Sequence, residues 1–321
     1  MVVAKMSKLS LIFPGQGSQY IGMGKDFYEN FNEARYVFEE SNDTLSMDLS
    51  GLIFNGNEED LRKTENTQPA ILATSIAILK CLQKEGISSE YSAGLSLGEY
   101  SSIVYGDGIE FSDAIKIVRE RGKFMQEAVA LGVGGMAAIL GLEEENFSLV
   151  LESSKDYGLV EIANYNSPRQ IVISGELKAL EIASEKAMEL GAKKVVNLPV
   201  SAPFHCSLLN EAGSRLENEL SKYNIKDLNK KVIANVDAKI IENKDELKTK
   251  LVKQVSSSVL WQQSVEFMIN EGIDTFIEIG PGKSLTGFVK KVGKSLGKDI
   301  KALNISDLDT FNKALNLLGG N

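Results

Sequence analysis

Histidine is almost absent from this chain: His205 is the only one in 321 residues. Cysteine is nearly as scarce, with Cys81 and Cys206 alone. One histidine and two cysteines cannot build the usual Cys- and His-rich zinc sites, and no EF-hand or other metal loop is apparent. Two cysteines also make a disulfide scaffold implausible, and with no secretory leader in view they point to a reducing, cytoplasmic setting. Basic charge is in deficit as well. A net charge of −9 argues against wholesale nucleic-acid binding. It also means that an anionic ligand has to be met by a local cation. Long apolar runs are missing: the best stretch, Pro69–Leu79, is too short to span a bilayer. We therefore expect no nucleic-acid partner, no membrane, no resident metal and no cofactor.

What is present is ordinary globular material, 43% hydrophobic and 25% charged. The length suits one large domain with an insertion, or two domains. Leu9–Phe13 reads as a buried strand and Thr67–Gln83 as a helix, with Ile71, Leu72, Ser75, Ile78, Leu79 and Leu82 at helical spacing. Tyr91–Leu95 is a short strand and Leu97–Tyr105 a helix. Ser112–Val129 is a further helix, with Ser112 as N-cap. Alternation of strand and helix argues for a mainly parallel α/β sheet. The pattern changes after Gly132–Gly135, which reads as a hinge. Met136–Leu140, Leu159–Tyr165, Gln170–Ser174 and Lys193–Leu198 are strands; Glu143–Ser154 and Glu176–Leu190 are helices. Asn166-Ser167-Pro168 marks a turn and Gly191 a C-cap. The resulting order, βαββαβ, is that of the ferredoxin-like unit. We place this inserted subdomain at 131–201, within a large α/β domain formed by 1–130 and 202–321. That parent pattern resumes with helices at Ser207–Tyr223 and Trp261–Glu271 and a strand at Asp274–Ile279. A helix from Ser284, a strand at Ala302–Ile305 and a helix at Asp307–Leu318 follow.

The chemistry concentrates in a few segments. Gly94-Leu95-Ser96-Leu97-Gly98 has the form of a nucleophile elbow, a sharp strand-to-helix turn that presents a serine hydroxyl. A bare G-x-S-x-G can be no more than a glycine-rich turn, but here a strand precedes it and a helix follows. That context places Ser96 at a helix N-terminus, where backbone N–H groups favour developing negative charge. A serine hydroxyl needs a base to take its proton, and if the base is a histidine only His205 can serve. A lone histidine is more often structural, yet His205 follows Pro203 in VSAPFHCS, where a loop would present it. Its neighbour Cys206 fits a small buried hydrophobe better than a catalytic partner.

FPGQGSQY at 13–20 is a near-miss for a dinucleotide fingerprint, since no glycine follows Gly17 at the required spacing. A ligand-facing loop carrying Gln16 and a tight turn are both open readings. Gly280-Pro281-Gly282-Lys283-Ser284 fails as a Walker motif because Ile277 stands where the first glycine belongs, so it reads as a strand-to-helix turn at the rim of the site. In VRERGKFMQ, Arg119 and Arg121 lie about 200° apart on a helix, so only one can face inward. Arg121 beside Met125 and Gln126 suits a pocket wall. An inward arginine needs an anionic partner, such as a carboxylate substrate.

Taken together, FPGQGSQ, GLSLGEYS, VRERGKFMQ, ANYNSP, APFH, NVDA and LVKQ…W…SVE resemble, in order, the malonyl-CoA:acyl-carrier-protein transacylases of fatty-acid synthesis. The resemblance implies a hydrolase-like α/β domain with the ferredoxin-like insertion. It implies that Ser96 is the acyl-accepting nucleophile and His205 its general base, oriented by the main-chain carbonyl of Gln254 in place of a triad carboxylate. Backbone N–H groups of Gln16 and Leu97 would form the oxyanion hole. Arg121 would grip the malonyl carboxylate, and Phe204 matches the malonyl-selective form of the histidine loop. Malonyl-CoA would be a substrate rather than a cofactor, and an acidic acyl carrier protein the second partner. Lys193, Lys194, Lys283, Lys290 and Lys291 are candidates for its docking surface by charge alone. One position departs from the pattern: Leu95 stands where the family usually has a histidine, which alters pocket polarity while sparing nucleophile and base. Two other readings stay open, a serine thioesterase or hydrolase and a non-catalytic carrier-protein binding module.

Overall fold

The computed structural model describes residues 8–130, 132–200 and 202–319. Nine strands form two sheets among these residues. Strands β1 (Leu9–Phe13), β2 (Tyr91–Gly94), β3 (Gly134–Leu140), β4 (Val160–Ser167) and β5 (Gln170–Glu176) come first, followed by β6 (Lys194–Asn197), β7 (Lys231–Ile233), β8 (Thr275–Ile279) and β9 (Lys301–Ile305). The larger sheet has the order β7-β2-β1-β8-β9, and every pairing in it is parallel. Both of its faces are covered by helices, which is why β1, β2 and β8 read as short, nearly continuous buried runs. One face carries the helix Thr64–Lys84, buried almost all round, and the helix Phe111–Glu127 packed beside it. Trp261, Val265, Met268, Val289 and Val292, from the helices Trp261–Asn270 and Ser284–Ser295, fill the other face.

The smaller sheet, β4-β5-β3-β6, is antiparallel throughout. Strands β3 and β5 alternate in what they touch, as the two-residue period demands, while β4 is irregular after Ile162 and after Tyr165. Ala137 and Ile139 of β3 and Ile171 and Ile173 of β5 pack under the helices Phe147–Glu152 and Leu177–Glu189. Met136, Ala138 and Val172, one residue out of phase, join the main core and line the cavity described below. The sheet is hooked to the parallel domain by backbone bonds from Tyr165 N–H to Val259 C=O (3.0 Å) and from Val259 N–H to Ala163 C=O (2.8 Å).

Several local expectations are corrected. Ser112 is not a cap: the helix Phe111–Glu127 starts one residue earlier, behind Glu110, and its N-cap makes no side-chain bond. Gly134 and Gly135 are not hinge but the first residues of β3, paired with Glu176 and Gly175. The helix expected over Glu143–Ser154 is a 3-10 turn at Glu144–Asn146 followed by the helix Phe147–Glu152. Asn166 and Ser167 belong to β4, and the turn contracts to Pro168-Arg169, with Arg169 left-handed at φ 60°. Six helices and strands escape the sequence reading: the short helices Lys25–Asn30, Leu49–Asn55 and Glu58–Arg62, the helix Asn32–Leu45, the strand β7 and the helix Lys244–Gln254, which carries Gln254. No helix among the described residues is long and apolar enough to cross a membrane.

Candidate active site

The turn after β2 is built by two glycines that cannot be anything larger. A Cβ on Gly94 would lie 1.9 Å from the carbonyl of Gly98, and one on Gly98 would lie 2.1 Å from the carbonyl of Phe13. With both backbones pressed together, the residue between them takes the strained conformation: Ser96 has φ 52°. Asn235, just past β7, braces it. The Ser96 N–H donates to Asn235 Oδ1 at 2.7 Å, and Asn235 Nδ2 donates to the Gly94 carbonyl at 2.7 Å. Beyond the turn the helix Gly98–Tyr105 begins, so Ser96 sits at its N-terminal end.

Ser96 Oγ lies 2.7 Å from His205 Nε2, across 109 positions of sequence. His205 Nδ1 lies 2.9 Å from the main-chain carbonyl of Gln254. That carbonyl ends the helix Lys244–Gln254, where no intrahelical donor remains for it. A carbonyl oxygen can only accept, so Nδ1 carries the imidazole hydrogen and Nε2 is free to accept from Ser96. Burial, reinforced by the nearby Arg121 cation and opposed by the Gln254 carbonyl, pushes the His205 pKa down to about 4. The ring is therefore neutral at physiological pH, the form a general base requires.

Arg121 is the buried member of the arginine pair, 1% exposed, while Arg119 is half-buried against Met47. Its guanidinium donates to Gln68 Oε1 at 2.8 Å, to Gln254 Oε1 at 2.8 Å and to Ser96 Oγ at 3.1 Å. All three acceptors are neutral. The Nε–H is buried with no protein partner among the described residues. Burial pulls the guanidinium pKa down, partly offset by Tyr100 and Glu99. A buried cation with one unpaired donor, touching the serine oxygen, is an arrangement that invites an anionic ligand.

These groups open into a cavity of about 300 Å³ between the two sheets. Gln16, Leu95, Ser96 and Leu97 form one wall, Met136, Ala138 and Val172 the opposite one, and Phe204 with His205 the end. Leu285 and Phe288, after the Gly280–Gly282 turn, complete the rim, as expected for that motif. The backbone N–H groups of Gln16 and Leu97 donate to no protein acceptor among the described residues. The Gln16 side chain turns to Thr64 at 3.3 Å. Cys206 is buried with Sγ on the Pro203 carbonyl at 3.2 Å, and burial raises its thiol pKa. Leu95 lines the cavity beside Ser96 and brings no polar group to it.

The structure thus gathers Ser96, His205, Gln254, Arg121 and Phe204 at one place, with Gln16 and Leu97 on its wall. Sequence reasoning missed Asn235, Glu99 and Gln68. Each is a fully or nearly fully buried polar residue, and a polar side chain interrupting an apolar element, as Gln68 does ahead of Pro69–Leu79, is the signal that could have found it.

Known proteins carry the same arrangement of chain. A family model described as the acyl transferase domain matches residues 10–311. The malonyl CoA-acyl carrier protein transacylase of Bacillus subtilis (strain 168) is 47% identical, over 98% of each chain. A crystal structure of malonyl CoA-acyl carrier protein transacylase from Clostridium perfringens superposes with a TM-score of 0.94 at 50% identity, covering 98% of both chains. A malonyl-transacylase in complex with a type II PKS acyl-carrier protein superposes at 0.93 with 38% identity, over 98% of this chain and 100% of that one. The chain belongs to the acyl transferase domain family and, within it, to the malonyl CoA-acyl carrier protein transacylases.

Proposed function

We propose that this protein moves a malonyl group from malonyl-CoA to the phosphopantetheine thiol of acyl carrier protein, by way of a malonyl ester on Ser96. The carrying observation is the placement of one oxygen: Ser96 Oγ lies 2.7 Å from a neutral imidazole nitrogen and 3.1 Å from a buried guanidinium. The first contact activates the hydroxyl, and the second places a carboxylate-binding group where an attacked acyl chain would extend.

Ser96 Oγ attacks the thioester carbonyl while its proton passes to His205 Nε2. The Gln254 carbonyl holds Nδ1–H and favours the imidazolium as it forms. The tetrahedral oxyanion is met by the N–H groups of Gln16 and Leu97. Collapse breaks the C–S bond, and His205 returns the proton to the departing CoA thiolate. The carrier thiol then loses its proton to His205 and attacks the malonyl ester, regenerating Ser96. This is a ping-pong, covalent route. Arg121 selects malonyl over acetyl, because an acetyl group leaves its buried donor unpaired at roughly 1–3 kcal/mol. Phe204 closes the acyl end of the cavity. Nucleophile, base and anion-binding groups all come from the chain, so the reading calls on no cofactor.

The reading extends to architecture and setting. Residues 1–130 and 202–321 form a hydrolase-like catalytic domain, and 131–201 a ferredoxin-like insertion whose antiparallel order β4-β5-β3-β6 supports that name. A cytoplasmic location is consistent with free, buried Cys81 and Cys206. Lys193, Lys194, Lys283, Lys290 and Lys291 are all exposed and can meet an acidic carrier.

Intact-mass spectrometry tests the function. Mixed with malonyl-CoA, the wild type gains a malonyl adduct that Ser96→Ala lacks, and added holo acyl carrier protein removes it with a matching gain on the carrier. Steady CoA release without an adduct, or an adduct discharged to water alone, identifies a hydrolase. Neither adduct nor thiol release identifies a binding module.

A further inference from the structure

Among the described residues Glu99 is the one acidic side chain buried in the active-site network, and the mechanism above does not use it. It is 1% exposed, on the first turn of the helix that follows Ser96. Its Oε2 accepts from Gln254 Nε2 at 2.6 Å and from the Asn235 N–H at 3.1 Å. It makes no direct bond to Arg121. The Gln254 side-chain amide stands between them, its nitrogen on the carboxylate and its oxygen 2.8 Å from the guanidinium.

An amide between a cation and an anion has one good orientation. The guanidinium can only donate and an ionised carboxylate can only accept, so the amide must turn oxygen to Arg121 and nitrogen to Glu99. Gln254 Nε2 also reaches the Ser96 carbonyl at 2.9 Å, which ties the same amide to the elbow. A carboxylate placed directly on Arg121 would occupy the donors that an incoming acid needs. One amide further back, the ionised carboxylate balances the buried cation without taking up any of its donors, and the Nε–H keeps no protein partner among the described residues.

We propose that Glu99 is a positioning residue for acyl selection: acting through the Gln254 amide, it holds Arg121 in place for the substrate carboxylate while keeping that guanidinium out of a direct ion pair. The proposal rests on the malonyl-transfer reading. It differs from a purely structural role in predicting a loss confined to acids. The charged and titratable groups around Glu99 are Arg121, Lys250 and Tyr100. Burial pushes the Glu99 pKa up to about 7, opposed by the Gln254 and Asn235 hydrogen bonds and by the two cations.

The test is Glu99→Gln, which keeps the shape and removes the ionisable carboxylate, assayed at pH 8, where Glu99 is ionised, for serine acylation with malonyl-CoA and acetyl-CoA and checked by thermal unfolding. The malonyl-to-acetyl ratio of kcat/KM should fall about tenfold or more, as expected for an interaction within one coupled network. Glu99→Asp should recover part of it. Gln254→Met, which removes the bridging amide and leaves the main chain, should lower the ratio alike and covers the case in which Glu99→Gln does not fold. In an Arg121→Ala background, Glu99→Gln should change the ratio no further. An unchanged ratio, an equal loss for both acyl groups, or a fully additive double variant overturns the proposal. A wild type that never takes malonyl overturns the function itself, which separates the two failures.

Discussion

Ser96 and His205 meet at 2.7 Å from backbones that are both left-handed, with φ 52° and φ 60°. Neither residue is glycine, and an L side chain in that region costs about 1–2 kcal/mol. The pair is held by its surroundings: the Asn235 brace on one side and the Gln254 carbonyl on the other.

The strain on Ser96 can be measured by comparing two inactive variants. Both Ser96→Ala and Ser96→Gly lose the hydroxyl, but only glycine relaxes the backbone. Ser96→Gly should be more stable than Ser96→Ala by about 1 kcal/mol in chemical denaturation. Equal stabilities would mean that the conformation carries no cost.

The elbow glycines answer to space. Gly98→Ala puts a Cβ 2.1 Å from the Phe13 carbonyl, a backbone atom of the central strand that cannot swing aside. We expect a loss of at least about 3 kcal/mol, read as a lower denaturant midpoint. Gly17→Ala, whose Cβ meets nothing within 4 Å although its φ is 100°, should cost clearly less.

Removing Arg121 should change both specificity and pH dependence. Arg121→Ala should lower malonyl-CoA acylation by about a hundredfold, the value of charge-assisted bonds to a carboxylate, and leave acetyl-CoA acylation far less affected. The Arg121 cation is also one reason that His205 resists protonation. Without it the imidazolium is easier to form. The acid limb of acetyl transfer should therefore move up from its wild-type position near pH 4, measured in short pH-jump assays.

Two buried groups make stability depend on pH in opposite directions. His205 titrates near 4 in the folded protein against 6.5 ordinarily, so the unfolded chain binds the extra proton between those values. Its contribution is present above pH 6.5 and is lost as pH falls through 4. Glu99 is raised to about 7 from 4.5, chiefly by burial, so there the folded protein holds the proton. Its contribution is present below pH 4.5 and is lost as pH rises through 7. Glu99→Gln removes only the second effect, so the Tm of the variant relative to wild type should climb between pH 5 and pH 8. A flat difference would show that Glu99 is ionised throughout.

Local pattern settled much of this protein before any fold was known. Four apolar residues in the five of Leu9–Phe13, closed by Pro14-Gly15, mark β1, and glycines flanking Ser96 between a strand and a helix mark the elbow. Helical phase separates Arg121 from Arg119, and the scarcity of histidine leaves His205 as the sole imidazole base. These are properties of neighbours in sequence, and periodicity reads them. The helices Lys25–Asn30, Leu49–Asn55 and Glu58–Arg62 escaped because each is under two turns and buries only one or two side chains, too little for a period to register. Only the tertiary structure could bring together Gln68, Glu99, Asn235 and Gln254, which lie on four separate segments and are joined solely by hydrogen bonds. Nothing local distinguishes a glutamine that will accept from a buried arginine from one that will face water. Polar partners are chosen by packing, because a buried donor or acceptor must be paired within reach of its final position.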